Sequence, residues 1–214
     1  MVYMPAEHRH MLPRPLSIFN LDRKNGTLSL FFAVKGQGTK LLASALKGSV
    51  LKLLGPLGKG FPSLPQQALL VAGGMGIAPL VFLAASTERP RTLVYGARTA
   101  NQLACPPENL ELPGLKLIET TEDGSRGQKG SAVDMIYPLL SNTKALFACG
   151  PDQMLRAVAS ISEKSGKEAW ISLEERMACG IGACLGCAVA TGDGYRSVCS
   201  DGPVFPAGEV IFHG

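Results

Sequence analysis

Aromatic side chains are scarce in this 214-residue sequence, which has eight Phe, four Tyr and one Trp. No run of Lys or Arg is interleaved with them and the formal net charge is only +4, so a nucleic-acid-binding surface is not expected. Long apolar runs are lacking too. The longest, Ala68 to Ala85, is broken by Gly73, Gly74, Gly76 and Pro79, which mark a turn at a site rather than a membrane span. No charged leader with an apolar segment and cleavage site opens the chain, so the expected location is the cytoplasm. Histidine is also rare: His8 and His10 fall in a polar N-terminal stretch and His213 at the tail, positions that read as solvated surface. Glu174 and Glu175 read as a solvated face rather than a proton relay. Acid–base catalysis by side chains is therefore not the expected chemistry.

What the sequence does carry is cysteine, in a telling place. Four of the six, Cys179, Cys184, Cys187 and Cys199, form the pattern C-x4-C-x2-C-x11-C. That is the spacing of plant-type [2Fe–2S] ligation. Three thiolates must converge from one tight loop, and Gly180, Gly182 and Gly186 are expected to supply its backbone freedom. Backbone N–H groups in such a loop can point at sulfur and tune a cluster. Cys199 follows a hairpin expected to turn at Gly192-Asp193-Gly194. A structural zinc site or plain buried thiols are the alternatives, although zinc sites usually show two C-x2-4-C pairs. Cys105, beside Pro106-Pro107, reads as a packing residue.

Apolar residues at 46% and charged residues at 18% describe a globular chain, and its periodicity changes along its length. Residues 1–64 read as β-rich, with an extended segment over 13–18, strands over 28–34 and 50–54, and a helix over 39–47. A Pro- and Gly-rich passage, 55–65, marks a boundary. Strands over 68–72, 92–95, 115–120 and 145–149 then alternate with helices over 79–86, 132–140 and 153–165, a pattern that implies a parallel sheet. The rest, from 167, is short, glycine-rich and holds the cysteine cluster.

Two turns suggest a nucleotide site. Gly73-Gly74-Met75-Gly76-Ile77-Ala78-Pro79 joins a buried strand to a helix, where glycines let a backbone approach a pyrophosphate. It is not G-x-G-x-x-G, and a tight packing turn would look the same. Cys149-Gly150-Pro151 ends a second strand, and two such turns bound the crevice where open α/β sheets bind ligands. Upstream, Arg14 could hold a phosphate while Ser17, on the opposite face of an extended segment, reaches a ring edge. Gly36-Gln37-Gly38-Thr39 precedes a helix and could cradle a pyrophosphate. A nicotinamide gives up two electrons together and a [2Fe–2S] cluster takes one, so a flavin between them is expected.

The order RPLS, GQGT, GPLGKGF, AGGMGIAP, CGPDQM, MACGIGACLGCAV and VCSDGPVF resembles the electron-transfer subunit family of dihydroorotate dehydrogenase B, within the ferredoxin reductase superfamily. The resemblance spans nearly the whole chain and implies an α/β-plus-β fold in three parts. These are an FAD-binding β-barrel (1–64), a Rossmann-like NAD-binding domain (65–166) and a [2Fe–2S] domain (167–214). It implies that Arg14, Pro15, Leu16, Ser17, Phe31, Phe32 and Ala33 contact FAD, with Gly38 and Thr39 on its pyrophosphate. Gly73, Gly74, Gly76 and Pro79 would line the NAD site, with Cys149, Gly150 and Pro151 near the nicotinamide. Ser17 and Cys149 would stand at the reacting rings, and the four cysteines would ligate the cluster. It further implies an FMN-containing catalytic subunit that oxidises dihydroorotate in pyrimidine synthesis, joined in a heterotetramer. Relatives carry more chain before the Arg14 segment, so the barrel is expected to be partial here, which puts tight FAD binding in doubt. Two other readings remain: a reductase subunit serving a hydrogenase or glutamate-synthase-like enzyme, and a non-enzymatic zinc-binding redox scaffold.

Overall fold

A computed structural model describes residues 1–3 and 12–212; His8, His10 and His213 lie outside the described residues. The N-terminal part holds β1 (Val2–Tyr3), β2 (Ile18–Asp22), β3 (Thr27–Leu30), α1 (Gln37–Ala43) and β4 (Lys52–Leu53). β1 pairs antiparallel with β4 and β2 with β3. Val2 and Arg14 exchange two backbone hydrogen bonds of 2.8 Å. Among the described residues the expected barrel is represented by these two-stranded ladders. The β2–β3 turn closes because Asp22 accepts the N–H groups of Lys24 and Asn25 at 2.9 and 3.1 Å, while Gly26 takes φ +63°.

Two expectations here need correction. The strand expected over 28–34 ends at Leu30; Phe31, Phe32 and Ala33 continue half-buried without a ladder partner. The helix expected over 39–47 begins at Gln37 and stops at Ala43. Its downstream apolar positions have nothing to pack on, and Leu46 is 79% exposed.

The rest of the chain is built on one sheet. Its elements are β5 (Ala68–Gly73), α2 (Ile77–Ala84), β6 (Arg91–Ala97), β7 (Leu115–Thr121), β8 (Gln128–Lys129), β9 (Ala145–Cys149), α3 (Asp152–Ser165) and β10 (Glu168–Ser172). β11 (Ala188–Thr191), β12 (Gly194–Ser197) and β13 (Val204–Pro206) follow. The sheet order is β13-β10-β9-β5-β6-β7-β8, parallel except for β13 against β10. Sequence-adjacent β5 and β6 lie side by side, while the chain crosses to β9 on the other flank of β5. The order therefore reverses between β5 and β9, which places the ligand-binding crevice beyond their carboxyl ends.

β5 and β9 are apolar along their buried lengths because helices or loops cover both sheet faces. α2 buries Ile77, Leu80, Val81 and Ala84 on one face, together with Phe19 from β2, so the N-terminal ladder is docked through that helix. α3 buries Met154, Leu155, Val158 and Ile161 on the other face and ends at Gly166 with φ +65°. The helix expected over 132–140 is absent; turns lead into a 3-10 segment at Tyr137–Asn142, with Pro138 at its first turn.

β10 and β13 were not expected from the sequence. Both belong to the sheet, and the cysteine-rich loop with the β11–β12 hairpin is strung between them at its edge. The hairpin turns at the expected Gly192-Asp193-Gly194, where Thr191 Oγ1 donates to Gly194 O at 2.7 Å.

Candidate functional site

The three glycines at the end of β5 and in the turn that follows do different jobs. A Cβ on Gly76 would overlap the carbonyl of Cys149 and stand 2.7 Å from Gly150 N. One on Gly73 would stand 2.6 Å from Pro151 Cδ and 2.9 Å from Met154 Sδ. Gly150, at φ +159°, has the backbone of Gly73 in the same position: its Cβ would lie 2.9 Å from Gly73 Cα. These residues let the β5 and β9 turns press together, so Gly73, Gly76 and Gly150 serve packing. Gly74 differs, with φ +53° and nothing within 4 Å of an added Cβ. It follows the carboxyl end of β5 directly and has open space beside its backbone. Pro79 lies half-buried in the first turn of α2.

Cys149 closes β9 with 2% of its surface exposed, paired with Ala72 on one side and Ser172 on the other. Burial, and then the charge of Glu174, push its thiol up to about 12 against the lowering effect of a hydrogen bond with Ser172. It is therefore a neutral S–H at physiological pH, suited to line an apolar floor and not to act as a thiolate. Ser172 and Glu174 were not recognised as neighbours of Cys149 in the sequence, because the β9–β10 pairing brings them there across 23 and 25 residues.

In the N-terminal part, Arg14 lies over Gly38. A Cβ at Gly38 would clash with Arg14 Nε and stand 2.8 Å from its Nη2. No carboxylate pairs with Arg14 among the described residues. A guanidinium held over the start of α1 without an acid partner fits an anionic group such as a pyrophosphate. Thr39 is engaged locally: its hydroxyl accepts the N–H groups of Lys35 and Gly36 at 2.9 and 3.1 Å and donates to Gly36 O at 3.0 Å. Its side chain shapes the loop and leaves any ligand to the backbone. Ser17 and Pro15 are exposed, and Leu16 is half-buried. Phe31 packs on Phe19 with ring centroids 5.3 Å apart, so its ring belongs to the core on that side.

The four clustered cysteines form two pairs. Cys179 is held down to about 6, chiefly by N–H donors of the loop, Ile181 first and then Cys184, with the Cys184 side chain contributing next. Cys199 is pushed up to about 11 by burial and then by the neighbouring Cys187 thiol. The Gly182 N–H donates to Cys199 Sγ at 3.1 Å and the Cys199 N–H donates to Cys187 Sγ at 3.4 Å. Ile181 N–H donates to Cys179 Sγ at 3.5 Å. Among the described residues no three Cys, His, Asp or Glu gather as they would around a single metal ion. Two pairs of thiols with backbone donors aimed at sulfur instead suit a dinuclear group with two cysteines per iron. The loop's left-handed positions are Gly180 and Gly182, as expected, and Leu185 at φ +57°, whereas Gly186 is not one of them.

Comparison with known proteins agrees with this geometry. Residues 174–211 match the iron–sulfur cluster binding domain of dihydroorotate dehydrogenase B, and residues 70–160 match the oxidoreductase NAD-binding domain. The electron transfer subunit of dihydroorotate dehydrogenase B (NAD(+)) from Caldanaerobacter subterraneus subsp. tengcongensis is 39% identical over 213 residues, covering 97% of this chain and 84% of that protein. The subunit of the same name from Bacillus cereus strain Q1 is 40% identical over 216 residues, covering 94% and 81%. Among solved structures, an NADH-dependent reduced ferredoxin–NADP oxidoreductase studied for flavin-based electron bifurcation superposes with a TM-score of 0.85. It is 28% identical and the match covers 98% of this chain and 78% of that one. The ferredoxin reductase of carbazole 1,9a-dioxygenase, 19% identical with a TM-score of 0.61, shares the fold. The chain belongs to the family of dihydroorotate dehydrogenase B electron transfer subunits.

Proposed function

We propose that this chain links the oxidation of dihydroorotate, on an FMN-carrying catalytic subunit, to reduction of NAD+ in pyrimidine biosynthesis. It does so in the cytoplasm as part of a heterotetramer, holding FAD and a [2Fe–2S] cluster. A bound flavin supplies both hydride and one-electron chemistry, and the cluster supplies one-electron chemistry. The observation that carries the reading is an arrangement on one sheet. Paired thiols hang from the β10–β13 edge, and the β5–β9 crevice, of the kind in which open α/β sheets bind nucleotides, opens between the third and fourth strands from that edge.

The chain's own residues have distinct tasks in this reading. Arg14 supplies fixed positive charge for the flavin pyrophosphate, beside the backbone of Gly38 and Thr39. Ser17 with Pro15 and Leu16, and Phe32 with Ala33, border the flavin ring. Gly74 lets the nucleotide approach the backbone, and the packed Gly73, Gly76, Gly150 and Pro151 keep that wall rigid. Pro79 fixes the first turn of α2 behind it. Neutral Cys149 places no charge beside a nicotinamide and excludes water from its face. Cys179, Cys184, Cys187 and Cys199 hold the cluster.

The partner contact is read from the loop itself. Met177 to Gly192 contains no Asp, Glu, Lys or Arg, and Ile181 and Leu185 are 60% and 67% exposed. An uncharged apolar patch beside exposed Cys184, with Glu175, Arg176 and Arg196 outside it, suits docking of the electron partner. Anaerobically purified protein should show flavin bands over a broad iron–sulfur envelope, and NADH should bleach both. A cluster spectrum without flavin and unmoved by NADH would sink the proposal. Copurification with an FMN protein, rather than with a hydrogenase or glutamate synthase, would identify the partner.

A further inference from the structure

The passage between the two halves, residues 55–61, touches the cluster loop at both ends. Leu57 reaches Gly180, where an added Cβ would stand 3.2 Å from Leu57 Cδ1 and 2.7 Å from Met1 Cγ. Two residues on, the Lys59 N–H donates to Gly202 O, and the Val204 N–H donates to Lys59 O at 3.4 Å. Lys59 and Pro203 thereby form a parallel bridge, an extra partner on the outer edge of β13. Gly180 follows Cys179 directly, and Gly202 lies just past Cys199. The first and last ligands are thus gripped by one short piece of chain.

Gly58 sits between the two grips with φ +69°, and a Cβ there would overlap the Gly202 carbonyl oxygen. Gly202 has no room to retreat, since its own added Cβ would stand 2.7 Å from Phe205 Cζ. The next residue is also tied down, with Pro203 O accepting the Leu173 N–H at 2.9 Å. Upstream, Met1 and Leu54 exchange hydrogen bonds of 2.9 and 3.0 Å, which fasten the passage to β1. Downstream, Phe61 meets Phe147 of β9 edge-on, with centroids 6.0 Å apart. Both ends are anchored, so a change in the middle moves the loop it holds.

We propose that residues 55–61 are a strap that sets the position of the cluster loop against the flavin-binding half, with Gly58 as the positioning residue. This rests on the function proposed above. Side-chain substitution at Gly58 leaves the nucleotide turns and the four thiols in place and displaces the ends of the loop. Electron transfer between flavin and cluster slows as their separation grows, so displacing the loop slows that step and leaves hydride transfer to the flavin unaffected.

The test is Gly58→Ala in the full chain, purified with its cofactors. Amide hydrogen exchange should quicken at Gly202, Val204 and Phe205 and at residues 180–182. On mixing with NADH, flavin bleaching should keep its rate, while cluster bleaching should slow several-fold. The cluster's electron paramagnetic resonance signal should be unchanged, because its ligands are. Cluster reduction at the wild-type rate would overturn the proposal, even if exchange quickened. Should Gly58→Ala be isolated without its cluster, the double variant Met1→Ala (after an added initiator Met) with Leu57→Ala decides: it removes both side chains that meet Gly180 and leaves the backbone bonds of Lys59 intact. Slower cluster reduction in that variant supports the strap, and an unchanged rate refutes it. Wild-type protein that shows no bleaching by NADH would instead overturn the proposed function.

Discussion

Gly76→Ala and Gly74→Ala should fail in opposite ways. At Gly76 the backbone is ordinary, with φ −61° and ψ −9°, so an alanine meets no conformational penalty. Its methyl group would overlap the Cys149 carbonyl and lie 2.7 Å from Gly150 N. Both neighbours are backbone, so relief requires the end of β9 to move away from β5. Overpacking of this kind costs about 1–3 kcal/mol, and the upper end applies because no flexible side chain can yield. Total stability is on the order of 5–15 kcal/mol, so the loss is a large part of it. With a urea dependence of roughly 2–3 kcal/mol per molar, the midpoint should fall by about 1 M. At Gly74 an alanine finds open space but must adopt φ +53°, which costs about 1–2 kcal/mol. Its methyl group would project into the crevice. Gly74→Ala should therefore lose less stability than Gly76→Ala and more NADH affinity. Urea titration and NADH binding on the same preparations give both numbers. A Gly76→Ala protein of unchanged midpoint with weakened NADH binding would refute the packing assignment.

Replacement of Cys184 or Cys187 by Ser should abolish most of the iron and acid-labile sulfide, whereas Cys105→Ser should retain both; a Cys187→Ser protein with full iron content would remove that residue from the ligand set. Stability should decline on the alkaline side, because Cys149 and Tyr95 are each pushed up to about 12 from ordinary values of 9.0 and 10.0, chiefly by burial. The unfolded chain releases these protons first, so the contribution is whole below about pH 9 and is lost as pH rises towards 12. A urea midpoint that rises between pH 9 and 11 would contradict this. Leu185→Asp should weaken association with the catalytic subunit by about tenfold or more, as expected for a charge buried in an apolar contact, and leave NADH bleaching of the isolated subunit's flavin unaltered. Equal affinity of mutant and wild type in a titration would move the docking surface elsewhere.

Elements with strong local signals were legible from the sequence. The runs that became β5, β7 and β9 lie within a residue or so of their expected bounds; for β5 and β9 the reason is that a continuous apolar strand ending at glycine has few alternatives. The 132–140 segment misled because its apolar spacing suits a helix; the chain instead spends it on turns and a 3-10 segment whose Leu139 and Leu140 pack against the α3-side core. β10 and β13 escaped notice for a different reason. Glu168–Ser172 and Val204–Pro206 are short, and each is stabilised by a partner far away in sequence.

The site divides along the same line. The thiol spacing and the glycine turn could be read because each is a local pattern. Which glycine is packed and which stands open could not, since Gly73, Gly74 and Gly76 are equivalent as letters. The distinction comes from β9, more than 70 residues on, whose end fills the space over Gly73 and Gly76 and leaves Gly74 open. The same holds for Tyr95. Its hydroxyl is buried and makes no well-formed hydrogen bond, although the Cys105 and Ala104 N–H groups lie near enough to oppose the rise in its pKa. The phenol sits between the β6 strand and the loop that crosses over it, and only the packed fold sets that distance. A glycine-rich turn in an α/β sheet thus carries two independent demands, close packing and ligand approach. Packing is satisfied first, because the crevice exists only once β5 and β9 have come together.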